Sequence, residues 1–335
     1  MRKSLHIRLT HDVKNAIVDA HHMVMTPKEV GFSMKVLITG ASGLIGRALV
    51  DALEKRGDEP VPVTRSASAG DSAVRWDPQG GELDPSDVSG YDAVVHLAGE
   101  GIGDKRWTAT HKVRVLDSRV RGTSLLAETL AEVDRPPAVM ISASAVGYYG
   151  NRGDEVLTEQ SGGGDDFLSD VCRQWEESTQ PASDAGIRVA TIRTGLVMTP
   201  EGGIFPRTLL PFRLGVGGRL GPGTQWWPWI TLQDEIAAIL YLLDNDDLSG
   251  PVNLSAPNPV TNAEFTRTLA RVLRRPGVFS VPGAALKLIL GKEMASELLL
   301  VSQRVRPQKL LDEGFAFAEP DLEPALRTML GKPGA

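Results

Sequence analysis

The sequence has little cysteine, no long apolar run and no excess of basic residues. Its 335 residues include one cysteine, Cys172, so an internal disulfide is excluded and a cytoplasmic location is expected. No apolar stretch approaches the roughly 20 residues that span a bilayer, so we expect no membrane segment. The net charge of -6 disfavours a nucleic-acid binder, which needs a cationic surface. A globular protein remains, 41% hydrophobic and 23% charged.

Residues 1–33 differ in character from the rest of the chain. They contain four of the six histidines, but no cysteine or acidic pattern completes a metal site, and we expect no metal. The segment also lacks the apolar core and small-residue cleavage site of a signal peptide. We interpret it as a loosely ordered extension or the product of an upstream start codon, because Met34 immediately precedes the first predicted strand.

Short apolar runs alternate with helix-length patterns between residue 35 and about residue 197. Strands are predicted at 35–39, 61–65, 93–98, 139–143 and 189–193, and helices at 44–56, 110–133 and 166–184. This alternation predicts an α/β fold with a Rossmann-like, doubly wound parallel sheet. A helix (234–243) and a strand (252–254) follow, and residues 260–330 are expected to be mostly helical.

A glycine-spaced turn follows the first predicted strand. Residues 39–46 read TGASGLIG, which is T-G-x-x-G-x-x-G between a strand and a helix. Gly40 allows the sharp turn, Gly43 lets the backbone approach a pyrophosphate, and Gly46 permits close helix packing. The helix N-terminus then presents free N–H groups and a partial positive charge to phosphate. The pattern predicts dinucleotide binding; the alternative is a glycine turn that binds nothing.

The end of the second strand indicates which dinucleotide is bound. An NAD-binding protein would carry an Asp or Glu there, against the ribose 2′-hydroxyl. This chain has Thr64 and Arg65 instead. A guanidinium can pair with a 2′-phosphate, so NADP(H) is predicted and NAD(H) is less favoured. The alternative is that Arg65 is a solvated surface arginine.

Further motifs resemble the extended, epimerase-like branch of the short-chain dehydrogenase/reductase superfamily. The strand YDAVVHLAG (91–99) and the helix RVRGT (119–123) are similar to motifs of that branch, with Arg119 where the branch has asparagine. The strings SASAVGYYG (142–150), WWPWI (226–230) and VSQRVRPQKLLDEGFAF (301–317) resemble one atypical subgroup, the 39U epimerase-family proteins. The resemblance covers residues 34 to 330 and includes a small C-terminal module of unknown function.

The turn and the resemblance together imply a set of cofactor-binding residues. The resemblance places Leu97 and Ala98 beneath the adenine ribose and the pyrophosphate. Glu100 follows as a polar group near the ribose or substrate, or as a cap of the next segment. The complete set is Gly40, Ser42, Gly43, Leu44, Ile45, Gly46, Thr64, Arg65, Leu97, Ala98, Gly99, Glu100, Arg119 and Val197.

The acid/base residues of the superfamily are only partly present. The resemblance implies a Tyr with a Lys four residues later on one helix face, but no Tyr-x-x-x-Lys occurs. Alignment places Leu168 and Cys172 at those positions, and we interpret Cys172 as a small buried hydrophobe. Ser144 matches the catalytic serine, or else its hydroxyl caps a strand end. Tyr148 and Tyr149 are candidate substitute acids, or else they pack at the pocket edge.

The segment 202–230 carries evenly spaced arginines (Arg207, Arg213, Arg219) and three of the six tryptophans. The resemblance implies that it helps to enclose a substrate; the alternative is that its tryptophans pack the two lobes together. The expected domains are an NADP-binding domain (34–255, with a substrate-lobe insertion at about 200–230) and a smaller, mostly helical substrate-lobe module (256–330).

Two functions remain open on the sequence. One is an NADP(H)-dependent oxidoreductase or epimerase acting on a small carbonyl or sugar-like substrate with nonstandard acid/base residues. The other is an NADPH-binding regulatory or interaction protein without turnover. We expect a small-molecule substrate as partner and neither nucleic acid nor membrane, and the oligomeric state stays open between monomer and homodimer.

Overall fold

The chain alternates strands and helices as the periodicity predicts. A computed structural model describes residues 33–66, 73–103 and 105–332, so most of the predicted N-terminal extension lies outside the described residues. The strands are β1 (Lys35–Thr39), β2 (Glu59–Thr64), β3 (Val74–Arg75), β4 (Ala93–His96), β5 (Val139–Ala145), β6 (Val156–Leu157), β7 (Arg188–Thr194), β8 (Leu196–Met198), β9 (Gly218–Leu220), β10 (Trp226–Trp227), β11 (Trp229–Thr231), β12 (Gly250–Leu254), β13 (Val260–Thr261), β14 (Phe279–Val281) and β15 (Arg304–Val305).

The helices flank these strands. They are α1 (Leu44–Arg56), α2 (Pro85–Val88), α3 (Ala109–Glu132), α4 (Phe167–Glu177), α5 (Gln180–Asp184), α6 (Phe205–Arg213), α7 (Leu232–Asp244), α8 (Asn262–Leu273), α9 (Gly283–Leu290), α10 (Lys292–Met294), α11 (Gln308–Asp312) and α12 (Leu322–Met329). A 3₁₀ turn (Val146–Tyr149) follows β5, and a π-helical turn (Ala295–Leu299) follows α10.

Seven parallel strands form the central sheet, in the order β12-β7-β5-β4-β1-β2-β3. The chain moves outward from β1 through β2 to β3, then returns to the other side of β1 with β4. The direction of winding therefore reverses between β1 and β4, which leaves a crevice at the carboxyl ends of these two strands. This topology confirms the predicted Rossmann-like sheet.

Side-chain alternation along the strands builds one core on each face of the sheet. In β1, Val36 and Ile38 belong to the cluster that α1 and α7 complete, with Leu49 and Ile239. Leu37 points to the opposite face, where its cluster includes residues of α3 and α5. Near-continuous apolar strands such as VLI are what a sheet buried on both faces requires.

A third core joins the segment 200–230 to the C-terminal residues. Phe205 of α6, Trp229 of β11, Phe265 of α8 and Leu326 of α12 belong to one buried cluster. Trp229 is 1% exposed, and Trp227 is also buried in this cluster. Both indoles therefore act in packing, as the alternative interpretation of these tryptophans held.

One predicted element was wrong in detail. The helix expected at 166–184 is broken into α4 and α5 at Ser178 and Thr179, because Pro181 has no N–H to continue the ladder of hydrogen bonds. The tail is mostly helical, as predicted, although the short strands β13, β14 and β15 interrupt it. Each of these strands pairs with a strand distant in sequence, so no local sequence pattern predicts it.

Candidate functional site

The glycine-spaced turn lies at the crevice, and two of its glycines are required by close backbone contacts. Gly40 has φ +71°, and a Cβ on it would lie 2.8 Å from the carbonyl carbon of Leu97. A Cβ on Gly46 would lie 2.2 Å from the carbonyl oxygen of Gly40. A side chain at either position would displace the backbone, so the turn forms a cradle that only glycine permits.

The N-terminus of α1 opens into this cradle with no side chain capping it. Gly43 is the N-cap residue, and the first turn of α1 contains no acidic residue. The free N–H groups and the helix dipole therefore suit an anion such as a diphosphate. Ser42 is exposed, and Arg47 donates a hydrogen bond from Nη1 to its carbonyl oxygen (2.8 Å). Leu44 lies against the glycine pair at 202 and 203, and Ile45 packs against the core.

The end of β2 carries a cation rather than a carboxylate. Arg65 follows the last strand residue and is exposed. Thr64 is half-buried, and its Oγ1 accepts a hydrogen bond from the N–H of Ser66 (3.1 Å). A phosphate on the 2′ oxygen of a ribose lying over β2 fits this strand end better than a free hydroxyl does.

Thr39 holds the chain beyond β4 against the glycine turn. Its Oγ1 accepts hydrogen bonds from the N–H groups of Leu97 (3.1 Å) and Ala98 (3.2 Å). The hydroxyl also lies 2.7 Å from Nδ1 of His96, and its one proton is then donated to that nitrogen. The backbone at 97–98 is thereby fixed where it touches Gly40.

His96 completes the support of this half of the site. With Nδ1 accepting from Thr39, the ring proton sits on Nε2 and is donated to Thr123 (3.0 Å), which also accepts from Nε1 of Trp175 (3.0 Å). Burial lowers the pKa of His96 to about 4, so the ring is neutral at physiological pH. No motif assigned Thr39, His96 or Thr123 this supporting role, because the partners lie far apart in sequence.

Glu100 and Arg119 line the crevice beyond Gly99. Arg119 donates from Nη1 to the carbonyl oxygens of Glu100 (3.0 Å) and Val115 (3.1 Å). The carboxylate of Glu100 lies 3.8 Å from Nε of Arg114 and 3.9 Å from Nδ1 of His111. Glu100 and Arg119, both predicted cofactor residues, are thus in contact. The side chain of Glu100 is partly exposed and does not cap a helix.

Apolar groups occupy the helix face where acid/base residues are expected. Leu168 and Cys172 are buried on α4, and a Cβ on Gly147 would lie 3.4 Å from Leu168 Cβ and 3.6 Å from Cys172 Sγ. The 3₁₀ turn after β5 therefore fills the space in front of this face. Burial raises the pKa of the Cys172 thiol to about 12, which agrees with its interpretation as a small hydrophobe.

Ser144 is tied into a buried ion pair. Its hydroxyl donates to Oε1 of Glu176 (2.6 Å), and Arg193 holds both carboxylate oxygens of Glu176 at 2.8 Å. Ser144 is 4% exposed, so its oxygen is shielded from solvent. Burial lowers the pKa of Arg193, but the contact with Glu176 outweighs it and holds that pKa above its usual range.

The two candidate tyrosines differ in their surroundings. Tyr149 is fully buried; its hydroxyl donates to Asn253 (2.7 Å) and accepts from Arg193 (3.1 Å), and burial raises its pKa to about 12. Tyr148 is half-buried, with the Arg193 guanidinium 3.4 Å from its ring centroid. Among the described residues its hydroxyl has no hydrogen-bond partner. This placement argues against Tyr149 as an acid and leaves Tyr148 as the candidate.

Comparison with known proteins decides the family. The model of the NAD dependent epimerase/dehydratase family matches residues 36–255, and that of a domain of unknown function, DUF1731, matches residues 281–329. The chain belongs to the NAD dependent epimerase/dehydratase family. An epimerase family protein of Mycobacterium bovis is 42% identical over 299 residues, 89% of this chain and 98% of that protein.

Two solved structures of this epimerase family are similar. The human epimerase family protein SDR39U1, crystallised with NADPH, has a TM-score of 0.81 at 34% identity and covers 90% of this chain and 100% of its own. A nucleoside-diphosphate sugar epimerase from Corynebacterium glutamicum has a TM-score of 0.75 at 40% identity, over 90% of this chain and 59% of its own. The resemblance to the 39U epimerase-family proteins is thereby confirmed.

This epimerase-family chain also buries a carboxyl group that sequence reasoning missed. Glu235 on α7 is 0% exposed, and its Oε1 accepts a hydrogen bond from Thr194 at the end of β7 (2.8 Å). Burial raises its pKa to about 8. Val197, the last predicted cofactor residue, lies on β8, where it pairs with Ile230 of β11.

The described part of the chain shows neither a membrane-spanning helix nor a metal-binding cluster. None of its helices is long and apolar enough to cross a membrane. Within the same residues, no group of three or more His, Cys, Asp or Glu side chains is arranged to hold a metal ion.

Proposed function

We propose that this protein binds NADP(H) across the crevice between β1 and β4. The observation that carries the proposal is the Gly40–Gly46 cradle in front of an uncapped helix N-terminus, where a Cβ on Gly40 or Gly46 would collide with backbone. Arg65 at the end of β2 supports NADP(H) over NAD(H). The crystallisation of the human relative with NADPH supports it as well.

We propose further that the protein is an oxidoreductase or epimerase acting on a small carbonyl or sugar-like substrate. When bound, the cofactor supplies or accepts a hydride at its nicotinamide ring. The chain must then hold a proton close to the reacting oxygen. Tyr148 is the group proposed for this role, because its hydroxyl has no partner among the described residues and the Arg193 guanidinium, 3.4 Å from its ring centroid, holds the ring in place.

We also propose that residues 34–255 hold the cofactor and residues 256–330 close the substrate side. Glu297 accepts a hydrogen bond from the N–H of Leu168 at the start of α4 (3.1 Å), and Gln303 donates to the carbonyl oxygen of Val146 (2.9 Å). These contacts support a module that covers α4 and the 3₁₀ turn.

A second function, cofactor binding without turnover, is favoured by the apolar face of α4. Leu168 and Cys172 offer no ionisable group at the positions where the superfamily carries its tyrosine and lysine. The protein would then respond to NADPH as a regulatory or interaction partner.

Calorimetric titration with NADPH and NADH tests the cofactor proposal. We expect NADPH to bind more tightly, and Arg65→Ala to weaken NADPH by about 10- to 100-fold with little effect on NADH, because a charge-assisted pair to the 2′-phosphate is lost. Arg267→Ala, which removes an exposed arginine of α8, serves as the control. Equal affinities for the two cofactors would contradict the assignment of Arg65.

Following NADPH absorbance with a panel of carbonyls, and the stereochemistry of the sugar by NMR with a panel of nucleotide sugars, separates the two functions, because an epimerase returns its hydride and consumes no NADPH. Turnover that falls about 100-fold in Tyr148→Phe supports the enzyme and its proposed acid. Tight NADPH binding with no turnover on any panel member favours the regulatory protein.

A further inference from the structure

Exposed apolar side chains are concentrated in two segments of the chain. Ten large hydrophobic side chains are exposed among the residues that the structure describes, and eight of them lie within 204–216 and 278–289. The most exposed of all are Val278 (82%), Leu288 (79%) and Leu214 (70%). Single exposed hydrophobic residues are ordinary, but such a concentration marks an interaction surface.

Strand pairing brings the two segments together. β9 follows the first segment and pairs in parallel with β14 in the second, with Gly218 opposite Phe279. The exposed valines that precede these strands therefore lie at the same end of a two-stranded ribbon. α9 continues the second segment and carries two further exposed apolar residues at its C-terminal end. We call residues 204–216 and 278–289 the apolar patch.

The charge around the apolar patch is of one sign. Residues 202–233 and 265–292, which contain the patch, hold nine of the 36 Lys and Arg residues and none of the 42 Asp and Glu residues. All nine of these basic residues are exposed. The whole chain has a net charge of -6, so positive charge is segregated in this region. The patch therefore suits an anionic partner that also offers apolar groups.

Three cations beside the patch line one cavity. The cavity has a volume of about 190 Å³ and is lined by Arg213, Leu273, Arg275, Leu330 and Lys332. Within the described chain, none of the three cationic side chains makes an ion pair or a hydrogen bond. An anion with several oxygens would relieve their mutual repulsion. Arg213 and Arg275 lie one and three residues before exposed patch residues, so the cavity borders the patch.

The backbone at Arg274 supports a use for positive charge at this surface. Arg274 ends α8 with φ +53°, the only positive φ of a non-glycine residue in the described ranges. Glycine adopts this conformation without strain, and helices commonly end with it. An exposed arginine at a position that favours glycine places a further cation next to the cavity residue Arg275.

We propose that the apolar patch docks on a membrane surface that contains anionic phospholipid. A headgroup phosphate binds in the cavity of Arg213, Arg275 and Lys332, and the exposed aliphatic side chains enter the boundary of the acyl chains. The sequence predicts no membrane partner because no segment can span a bilayer, but docking on a membrane surface needs no such segment. Docking of this kind is independent of NADP(H) binding.

The composition of the patch favours a lipid surface over other anionic partners. Phe279 is its one exposed aromatic residue, whereas protein hot spots and single-stranded nucleic-acid sites rely on aromatic side chains. A second copy of the chain bound through the same patch would set the nine cations against nine others. Aliphatic side chains among cations are typical of surfaces that lie in the headgroup region.

Vesicle sedimentation with the full chain tests membrane docking. We expect about 10-fold or tighter preference for vesicles of phosphatidylcholine and phosphatidylglycerol over phosphatidylcholine alone, and weaker binding at high salt. Arg213→Gln with Arg275→Gln should weaken binding to the anionic vesicles about 10- to 30-fold, whereas the two Lys substitutions keep the charge and should stay within about 3-fold of wild type. Arg75→Gln with Arg121→Gln removes two exposed arginines elsewhere and is the matched control.

A second pair of substitutions tests the apolar contribution. Leu214→Ser with Val278→Ser should weaken binding to the anionic vesicles about 10-fold, because less apolar area enters the lipid. Val156→Ser, at an exposed valine of β6, should leave binding unchanged. Thermal unfolding of every variant shows whether the fold is retained.

Three results would overturn membrane docking: no binding to either vesicle, equal binding to both, or unchanged binding of the folded patch variants. A protein that ignores vesicles but binds inorganic phosphate at the cavity would have an anion site only. A protein that ignores vesicles but binds an acidic peptide at the patch would have a protein partner instead. Either of these outcomes also contradicts the assignment of the patch to a lipid surface.

Discussion

The polar groups on the two sides of the crevice differ in whether the protein itself satisfies their hydrogen bonds. At the β1–α1–β2 side, the N-terminus of α1 is uncapped and Arg65 is exposed, so donors and charge face the crevice. At the β5–α4 side, polar side chains form hydrogen bonds with one another. Ser144 bonds to Glu176, and Tyr149 bonds to Asn253 and Arg193. Retaining a cofactor cradle therefore does not require retaining the superfamily's acid/base groups, since separate elements carry the two.

The largest expected effect is on the β5–α4 side. Glu176→Ala leaves Arg193 buried without a partner and Ser144 without an acceptor, so the free energy of unfolding should fall by about 3–5 kcal/mol. Urea denaturation measures this loss. Glu177→Ala, at the neighbouring exposed position, should change little. A similar stability for both variants would show that the ion pair does not hold this side together.

Two buried titratable groups should make stability depend on pH in opposite directions. Glu235 has a folded pKa of about 8 against 4.5 for a free group, so the folded state binds more protons between these values. Its contribution is full below pH 4.5 and is lost as the pH rises to 8, by about 5 kcal/mol. Glu235→Gln keeps the acceptor for Thr194 and should abolish this alkaline loss in urea denaturation at a series of pH values.

His96 supplies the acid side of the same measurement. Its folded pKa of about 4 lies below the ordinary 6.5, so the unfolded state binds more protons between these values. The stability that its neutral ring provides is lost as the pH falls from 6.5 to 4, by about 3 kcal/mol. An NMR titration in which the His96 ring resonances move at pH 6.5 would contradict this assignment.

Tyr149→Phe should cost about 1–3 kcal/mol of stability, because Asn253 and Arg193 each lose a buried partner. NADPH affinity should stay within about 2-fold, since the hydroxyl of Tyr149 is satisfied by the protein itself. Chemical denaturation and calorimetry check the two expectations, with Tyr148→Phe as the matched variant that should leave stability unchanged. A loss of NADPH affinity without a loss of stability would place Tyr149 in the site after all.

The smallest effect is expected at Cys172. Its thiol should not react with iodoacetamide at pH 8 in the folded protein, because burial holds its pKa at about 12 and shields the sulfur. Mass spectrometry of native and urea-unfolded samples measures the difference. Rapid labelling of the native protein would show that the face of α4 opens to solvent.

Local patterns predicted the parts of the site whose contacts are local. The turn from Thr39 to Gly46 is marked by glycine spacing within eight residues, so spacing alone located it. The break between α4 and α5 had a local signal, Pro181, that the prediction overlooked. The Rossmann-like sheet followed from alternating elements for the same reason.

Long-range partners could not be read from the sequence. The hydroxyl of Ser144 is taken by a carboxylate 32 residues away, and that of Tyr149 by an amide 104 residues away. A motif identifies such hydroxyls as candidates but does not show that the folded chain has already used them. The support of Ala98 through Thr39 and His96 was hidden for the same reason.

The contact between Gly147 and the face of α4 restricts how the superfamily's tyrosine and lysine could be placed there. The backbone at Gly147 now fills the volume beside Leu168 and Cys172, so an engineered tyrosine and lysine would meet it before reaching the crevice. Placing that pair on α4 therefore requires a change in the 3₁₀ turn as well. A variant with only the new side chains is overpacked, and a variant with only the altered turn is underpacked. As long as the 3₁₀ turn keeps this conformation, acid/base residues elsewhere in the crevice are easier to accommodate than a tyrosine and a lysine on α4.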